Sequence, residues 1–341
     1  MTAPFGAAIL GCSGPVLLAE ERQFFQLVNP FGFILFNRNL ETAHQIRALC
    51  ADLRDAVGWT APIFIDQEGG RVQRLRPPLA TDWPAPLDQV AEFGANAAHA
   101  MYLRYRIIAA ELLALGIDGN CAPVLDVARP ETHRILRNRC YGETLAQVVT
   151  MGRAVAQAHL DGGVLPVVKH IPGHGLAQLD SHLDLPRITA DAATLQATDF
   201  AAFKPFGDLP LGMTAHLVYD AYDSRPATIS PRMMQMIRQD LGFGGLIMTD
   251  DISMQALSGT IPERGQASID AGCDVVLHCN GVMSEMAPLM AQIGTLSEPS
   301  QIRARAALAA RRTPPQVDVT ALMAELAALP KDPSATDPTH G

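Results

Sequence analysis

Leu165-Pro166-Val167-Val168 is a short apolar run that stops abruptly at Lys169-His170. It is too short for a helix, and with no polar alternation it reads as a strand buried on both faces, as in a parallel sheet. Seven further runs repeat the pattern: Ala7–Leu10, Gly32–Leu35, Pro62–Ile65, Asn120–Leu125, Leu211–Thr214, Gly245–Met248 and Asp274–Leu277. Helical spacing fills the segments between them, among them Glu41–Val57, Leu87–Leu115, Leu145–Leu160, Ala192–Phe203, Pro231–Leu241 and Gly265–Ala271. In the first of these, Ile46, Leu49 and Leu53 recur at spacings of three and four, giving one apolar face to lay on a sheet. Eight such units predict an α/β fold, a single (β/α)8 TIM-type barrel. A dinucleotide-binding sheet is disfavoured because no G-x-G-x-x-G follows the first strand.

Polar residues end almost every run: Asn37 and Arg38, Asp66, Asp126, Lys169 and His170, His216, Asp250 and Asp251, His278 and Asn280. Barrel active sites are assembled at the C-terminal ends of the strands, so a convergence of ionisable groups on one rim is expected. Asp126 taken alone fits a turn or helix cap better than a reacting group. One catalytic domain is expected over residues 1–328, with Ser297–Ala328 helical on the outside and broken at Pro314-Pro315. Residues 329–341 are polar and proline-rich, and are expected to form a disordered tail.

Thirty-five acidic against 26 basic residues give a charge of −9, with no dense basic run, which argues against nucleic acid or an anionic membrane surface as a partner. The six cysteines form no C-x-x-C pair, and most lie in apolar runs, the pattern of reduced thiols in the cytoplasm. Ala7-Ala8-Ile9-Leu10-Gly11-Cys12 has the look of a lipoprotein cleavage box, but the first basic side chain is Arg22, downstream of any cut. A cytoplasmic location is therefore expected.

Three segments carry the chemistry: Asp66-Gln67-Glu68-Gly69-Gly70-Arg71-Val72-Gln73-Arg74, then Lys169-His170-Ile171-Pro172-Gly173-His174-Gly175 with Asp180-Ser181-His182, and Gly242-Phe243-Gly244-Gly245-Leu246-Ile247-Met248-Thr249-Asp250-Asp251. Together, over residues 14–285, they resemble glycoside hydrolase family 3 in its single-domain bacterial β-N-acetylglucosaminidase branch. The resemblance implies a retaining enzyme that removes terminal β-linked GlcNAc from peptidoglycan fragments, GlcNAc-1,6-anhydroMurNAc with or without peptide, through a covalent glycosyl-enzyme. It makes Asp250 the nucleophile and leaves Asp251 to hold neighbouring N–H groups. His182, oriented by Asp180, takes the place of the usual second carboxylate as acid and base. A glycine-bearing loop is expected to carry that dyad toward bound sugar.

The same resemblance assigns sugar binding to Asp66, Arg74, Arg139, Lys169 and His170. It implies a small sugar as the only partner, a monomer, and neither metal nor cofactor. Two departures stand out. Arg137-Asn138-Arg139-Cys140-Tyr141 occupies the place of a Gly-x-Arg-Ser-aromatic pattern, so Arg137 competes with Arg139; and Ile171 replaces a customary Phe.

Other chemistries remain open. A histidine dyad tolerates phosphate as well as water as acceptor, which keeps a GlcNAc phosphorylase in play beside a β-glucosidase of the same family. In a different class, His170, His174, His182, His216 and Asp250 could be ligands of a metal-dependent amidohydrolase-like barrel. Pro172 and Gly173 disfavour the helix that would align His170 with His174. A non-catalytic sugar-binding protein would leave the nucleophile and dyad without a role.

Overall fold

The computed structural model of the protein describes residues 3–177 and 185–334. Its centre is a closed barrel of parallel strands: β1 (Gly6–Gly11), β2 (Pro30–Leu35), β3 (Ile63–Ile65), β4 (Gly119–Asn120), β5 (Leu165–Ile171), β6 (Leu211–Thr214), β7 (Leu246–Asp251) and β8 (Val275–His278). Each strand lies beside its neighbours in sequence, and β1 closes the ring against β8 through Ala8 and Val276. Nearly every barrel residue is buried, which is why the strands read as unbroken apolar runs rather than alternating ones.

Polar N-caps start several of the helices between the strands. Thr42 accepts from Gln45 N ahead of Ala43–Val57, Thr144 from Gln147 N ahead of Leu145–Asp161, and Ser230 from Met233 N ahead of Pro231–Gln239. Among the described residues no helix is long and apolar enough to cross a membrane.

Several boundaries differ from the sequence expectation. The fourth strand is only Gly119–Asn120, because Pro123 has no N–H to donate to the ladder; the chain still runs beside β5, with Leu125 N bonded to Lys169 O at 2.7 Å. The single helix expected over Leu87–Leu115 is two, Pro86–Phe93 and Ala97–Ala114, separated at Gly94, whose φ of 48° lies outside the right-handed α-helical range, and joined by the 3-10 turn Gly94–Asn96. Ala192–Phe203 is helical only to Ala197, and then continues as a 3-10 turn, Phe200–Ala202. The outer helices Glu298–Ala309 and Val319–Ala328 flank the break at Pro314-Pro315. Beyond them, Asp332 N bonds to Glu92 O at 2.8 Å and Lys331 Nζ pairs with Glu92, so the chain packs on the barrel past residue 329; residues 335–341 lie outside the described residues.

β5 and β7 both run further than their apolar residues suggested, and each carries a register irregularity where its polar residues begin. The shift lies between Val168 and Ile171 in β5, and between Met248 and Asp251 in β7. Regular pleating would send consecutive side chains to opposite faces. At these two irregularities Lys169 and His170, and Asp250 and Asp251, all face one cleft.

Candidate active site

The cleft, of about 450 Å³, opens at the C-terminal ends of the strands. Asp66, Arg74, Arg139, Lys169, His170 and Asp250 all line it, so six of the eight residues singled out from the sequence meet in one place. The other two, Asp180 and His182, lie outside the described residues.

Asp66 reaches the cleft from the end of β3. The chain then turns back as a two-stranded ribbon, Gln67–Gly69 against Val72–Gln73, which returns Arg74 to Asp66. Arg74 Nη2 lies 3.1 Å from Asp66 Oδ2, with its guanidinium 5.0 Å above the Phe36 ring. The ribbon's tight fold depends on Gly69: a Cβ there would stand 1.7 Å from Nη2 of buried Arg104, and φ is 103°.

Lys169 Nζ donates to Asp66 Oδ1 at 3.0 Å and to Glu68 Oε1 at 2.6 Å. Burial alone would raise the Asp66 carboxyl, but Lys169 and Arg74 outweigh it and hold it far below the usual carboxylate range. Glu68 is lowered in the same way, Arg139 and then Lys169 overcoming its burial. Lys169, only 2% exposed, has burial working against its charge, yet the two carboxylates push its ammonium above its ordinary value.

Arg139 grips Glu68 with two bonds, Nε to Oε2 at 2.9 Å and Nη2 to Oε1 at 2.8 Å, and stands 3.3 Å from His170 Nε2. Arg137 turns the other way, to Glu143 and the carbonyl of Arg129, and does not line the cleft. Of the two candidate arginines, the fold therefore brings Arg139 to the cleft.

Asp126 is fully buried and is not a helix cap. Its Oδ2 lies 2.7 Å from His170 Nδ1, and its Oδ1 accepts from His174 N at 2.6 Å. That pairing makes Nδ1 of His170 the donor and aims Nε2 toward Arg139. Burial raises the Asp126 carboxyl, but His170 and the His174 N–H bring it below the ordinary value.

Asp250 has its Oδ1 bonded to Asp251 N at 2.8 Å. Burial pushes this carboxyl up, but His216, His170, the Asp251 N–H and Lys169 together set it below the usual range, so it is an anion at neutral pH. Asp251, as expected, holds N–H groups: Ser253 N at 3.1 Å and Cys279 N at 3.2 Å, with the Ser253 hydroxyl at 2.6 Å.

Two histidines expected on the rim do not reach the cleft. His216 is buried between Thr228 Oγ1 (2.7 Å) and the carbonyl of Asp251 (3.0 Å), which makes it a brace for the Asp250-Asp251 end of β7. His278 pairs with Glu285 in the outer layer, at 2.9 Å. Of the proposed metal ligands, His170 and His216 are thus engaged with protein partners, and among the described residues no cluster of three or more His, Cys, Asp or Glu side chains has metal-holding geometry.

Sequence reasoning gave no role to Glu68 and undervalued Asp126. Glu68 had one signal, its place inside the Asp66–Arg74 segment, but its partners lie 71 and 101 residues onward.

Comparison with known proteins agrees with this geometry. The profile of the glycosyl hydrolase family 3 N terminal domain matches residues 19–310. A beta-hexosaminidase from Alkalilimnicola ehrlichii is 38% identical over 283 residues, covering 81% of each chain. Among solved structures, NagZ from Neisseria gonorrhoeae in complex with N-trifluoroacetyl-D-glucosamine superposes with a TM-score of 0.83 at 31% identity, covering 96% of this chain and 98% of that one. A glycoside hydrolase family 3 beta-N-acetylglucosaminidase from Paenibacillus sp. str. FPU-7 has a TM-score of 0.82 at 28% identity, covering 94% of this chain and 66% of that longer one. With the family profile spanning most of the barrel and the first outer helix, Glu298–Ala309, the chain belongs to glycosyl hydrolase family 3.

Proposed function

We propose that the protein is a retaining exo-β-N-acetylglucosaminidase that acts as a cytoplasmic monomer on soluble peptidoglycan fragments, GlcNAc-1,6-anhydroMurNAc with or without peptide. The observation that carries this is Asp250, an ionised carboxylate at the C-terminal end of β7, braced by His216 and facing a cleft rich in fixed hydrogen-bond donors. The related beta-hexosaminidase and the N-acetylglucosamine-analogue complex of NagZ support the same sugar.

In this mechanism Asp250 attacks the anomeric carbon as the aglycone oxygen takes a proton, and water then hydrolyses the glycosyl-enzyme. Asp66 accepts hydrogen bonds from sugar hydroxyls, while Arg74, Arg139 and Lys169 donate them. The proton must come from elsewhere. Asp66 and Glu68 are held ionised by cations, and Asp251 is committed to Ser253 and Cys279. With these carboxylates engaged, the role falls to a histidine, and the family resemblance assigns it to His182, oriented by Asp180, as the acid and then the base, a role typically worth about 10²–10⁴-fold.

The test compares aryl β-GlcNAc with aryl β-glucoside, using wild type, Asp250→Ala and His182→Ala. Preference for GlcNAc is expected, with turnover lost in the first variant and lowered by about 10²–10⁴-fold in the second. Undiminished turnover in Asp250→Ala, or preference for glucoside, overturns the assignment. Product analysis with and without phosphate separates hydrolysis from phosphorolysis, and mass spectrometry of a fluoro-sugar adduct locates the nucleophile.

A further inference from the structure

Glu68 is a carboxylate with no exposed surface and no place on the cleft wall, yet both its oxygens bond to residues that do line it. Oε2 accepts Arg139 Nε at 2.9 Å; Oε1 accepts both Arg139 Nη2 at 2.8 Å and Lys169 Nζ at 2.6 Å. From these contacts we infer that Glu68 is the positioning residue for sugar recognition, setting the direction in which Arg139 and Lys169 present their remaining donors. The inference rests on the proposed assignment of those two cations as sugar contacts.

Two features separate this role from simple charge balance. Asp66 also binds Lys169, but Asp66 faces the cleft, where its oxygens are shared between the cations and arriving sugar hydroxyls. Glu68 is sealed behind the two cations and away from the cleft, so the ammonium of Lys169 has in it an anchor that does not compete for sugar. Arg139 is held along one edge of its guanidinium by a two-point contact, which fixes the plane as well as the position.

The backbone of Glu68 is itself clamped. Its carbonyl accepts Nη2 of Arg104 and the Tyr105 hydroxyl at 3.1 Å, both from the buried helix Ala97–Ala114. Among the described residues Arg104 makes no ion pair with a carboxylate: its other bonds go to Gln89 Oε1 and the carbonyl of Pro84 at 3.0 Å, and its guanidinium lies 5.3 Å over the Trp83 ring. A guanidinium buried on carbonyls and a ring face serves to hold main chain. It enters the place where a Cβ of residue 69 would be, which ties the glycine in the motif to the orientation of the carboxylate beside it. Rigid support of a binding constellation of this kind is worth most where misplacement by about 1 Å costs about 10²-fold.

The test is steady-state kinetics on aryl β-GlcNAc with Glu68→Gln and Glu68→Asp, alongside a thermal melt of each. Wild-type turnover of that substrate tests the proposed function, and the ratio of variant to wild type tests Glu68 separately. Glutamine keeps the shape but offers one acceptor and places N–H donors against Arg139 and Lys169. It is expected to raise KM at least about tenfold while kcat changes less than about threefold, the signature of lost uniform binding. Aspartate keeps the charge with a shorter reach, and is expected to restore part of the KM relative to glutamine. If Glu68→Gln does not fold, Glu68→Asp alone decides: a raised KM with near-normal kcat supports the positioning role. An unchanged KM in either folded variant, or a fall confined to kcat, overturns it.

Discussion

Asp126 Oδ2 lies 2.7 Å from His170 Nδ1, while the same carboxylate takes the main-chain N–H of His174 through Oδ1. One buried side chain thereby fixes the ring of a cleft residue and the first turn of the segment that leads toward Asp180 and His182.

Asp126→Asn removes the charge from this junction and leaves a weaker acceptor for three donors, His170 Nδ1 and the main-chain N–H groups of His170 and His174. A loss of about 1–3 kcal/mol is expected from urea denaturation, with a matching fall in kcat/KM. Wild-type stability together with wild-type kinetics would show that none of these bonds matters.

Arg139 and Arg137 are two residues apart and point to different surroundings. Arg139→Ala is expected to raise KM by about 10–100-fold, since hydrogen bonds to charged groups are worth about 1.5–3 kcal/mol. Arg137→Ala is expected to stay within about threefold of wild type. Kinetics on the two single variants check this, and a reversed order of effects would move the binding role to Arg137.

Gly69→Ala places a methyl group 1.7 Å from Arg104 Nη2 at a φ of 103°. The expected cost is at least about 1–3 kcal/mol. Because Arg104 must move, KM should rise as well, and a melt combined with kinetics reads both effects. A variant that loses stability but keeps its KM would show that Arg104 does not hold the sugar site.

His159 sits behind the barrel with its ring N–H donated to the Val155 carbonyl at 2.9 Å and its other nitrogen accepting from Asn120 at 3.0 Å. Burial pushes it down to about 4. The unfolded chain takes up this proton near its ordinary value of about 6.5, whereas the folded chain refuses it until about 4, so stability falls as pH drops through that window. His174, also lowered to about 4 by burial and then by His170, adds to the same slope. Melting temperatures at intervals from pH 7 to 4 should decline, and His159→Gln should flatten the decline. An identical slope in that variant would assign the pH dependence to other groups.

Much of the fold was legible in the chain. Runs such as Leu211–Thr214 and Val275–Leu277 are strands because parallel barrel strands are buried on both faces, and burial on both faces leaves an apolar signature. The fourth strand was overextended because Pro123 sits in an apolar run but has no N–H for the ladder. The polar residues after the runs identified Asp66, Lys169, His170 and Asp250 as members of the site. They also included His216 and His278, which share the position but not the direction.

By itself, the sequence determined the barrel, the rim on which the ionisable groups gather, and Asp250, Asp66, Lys169 and His170 as its members, since each follows from a local apolar-to-polar transition; Arg74 came only with the resemblance carried by the Asp66–Arg74 motif. Only the tertiary structure decided that Arg139 rather than Arg137 enters the cleft, that Asp126 is a buried anchor rather than a cap, and that Glu68 joins Arg139 and Lys169. The physical reason is that a carboxylate's role depends on the partners that compensate its burial, and those of Glu68 lie 71 and 101 residues away along the chain.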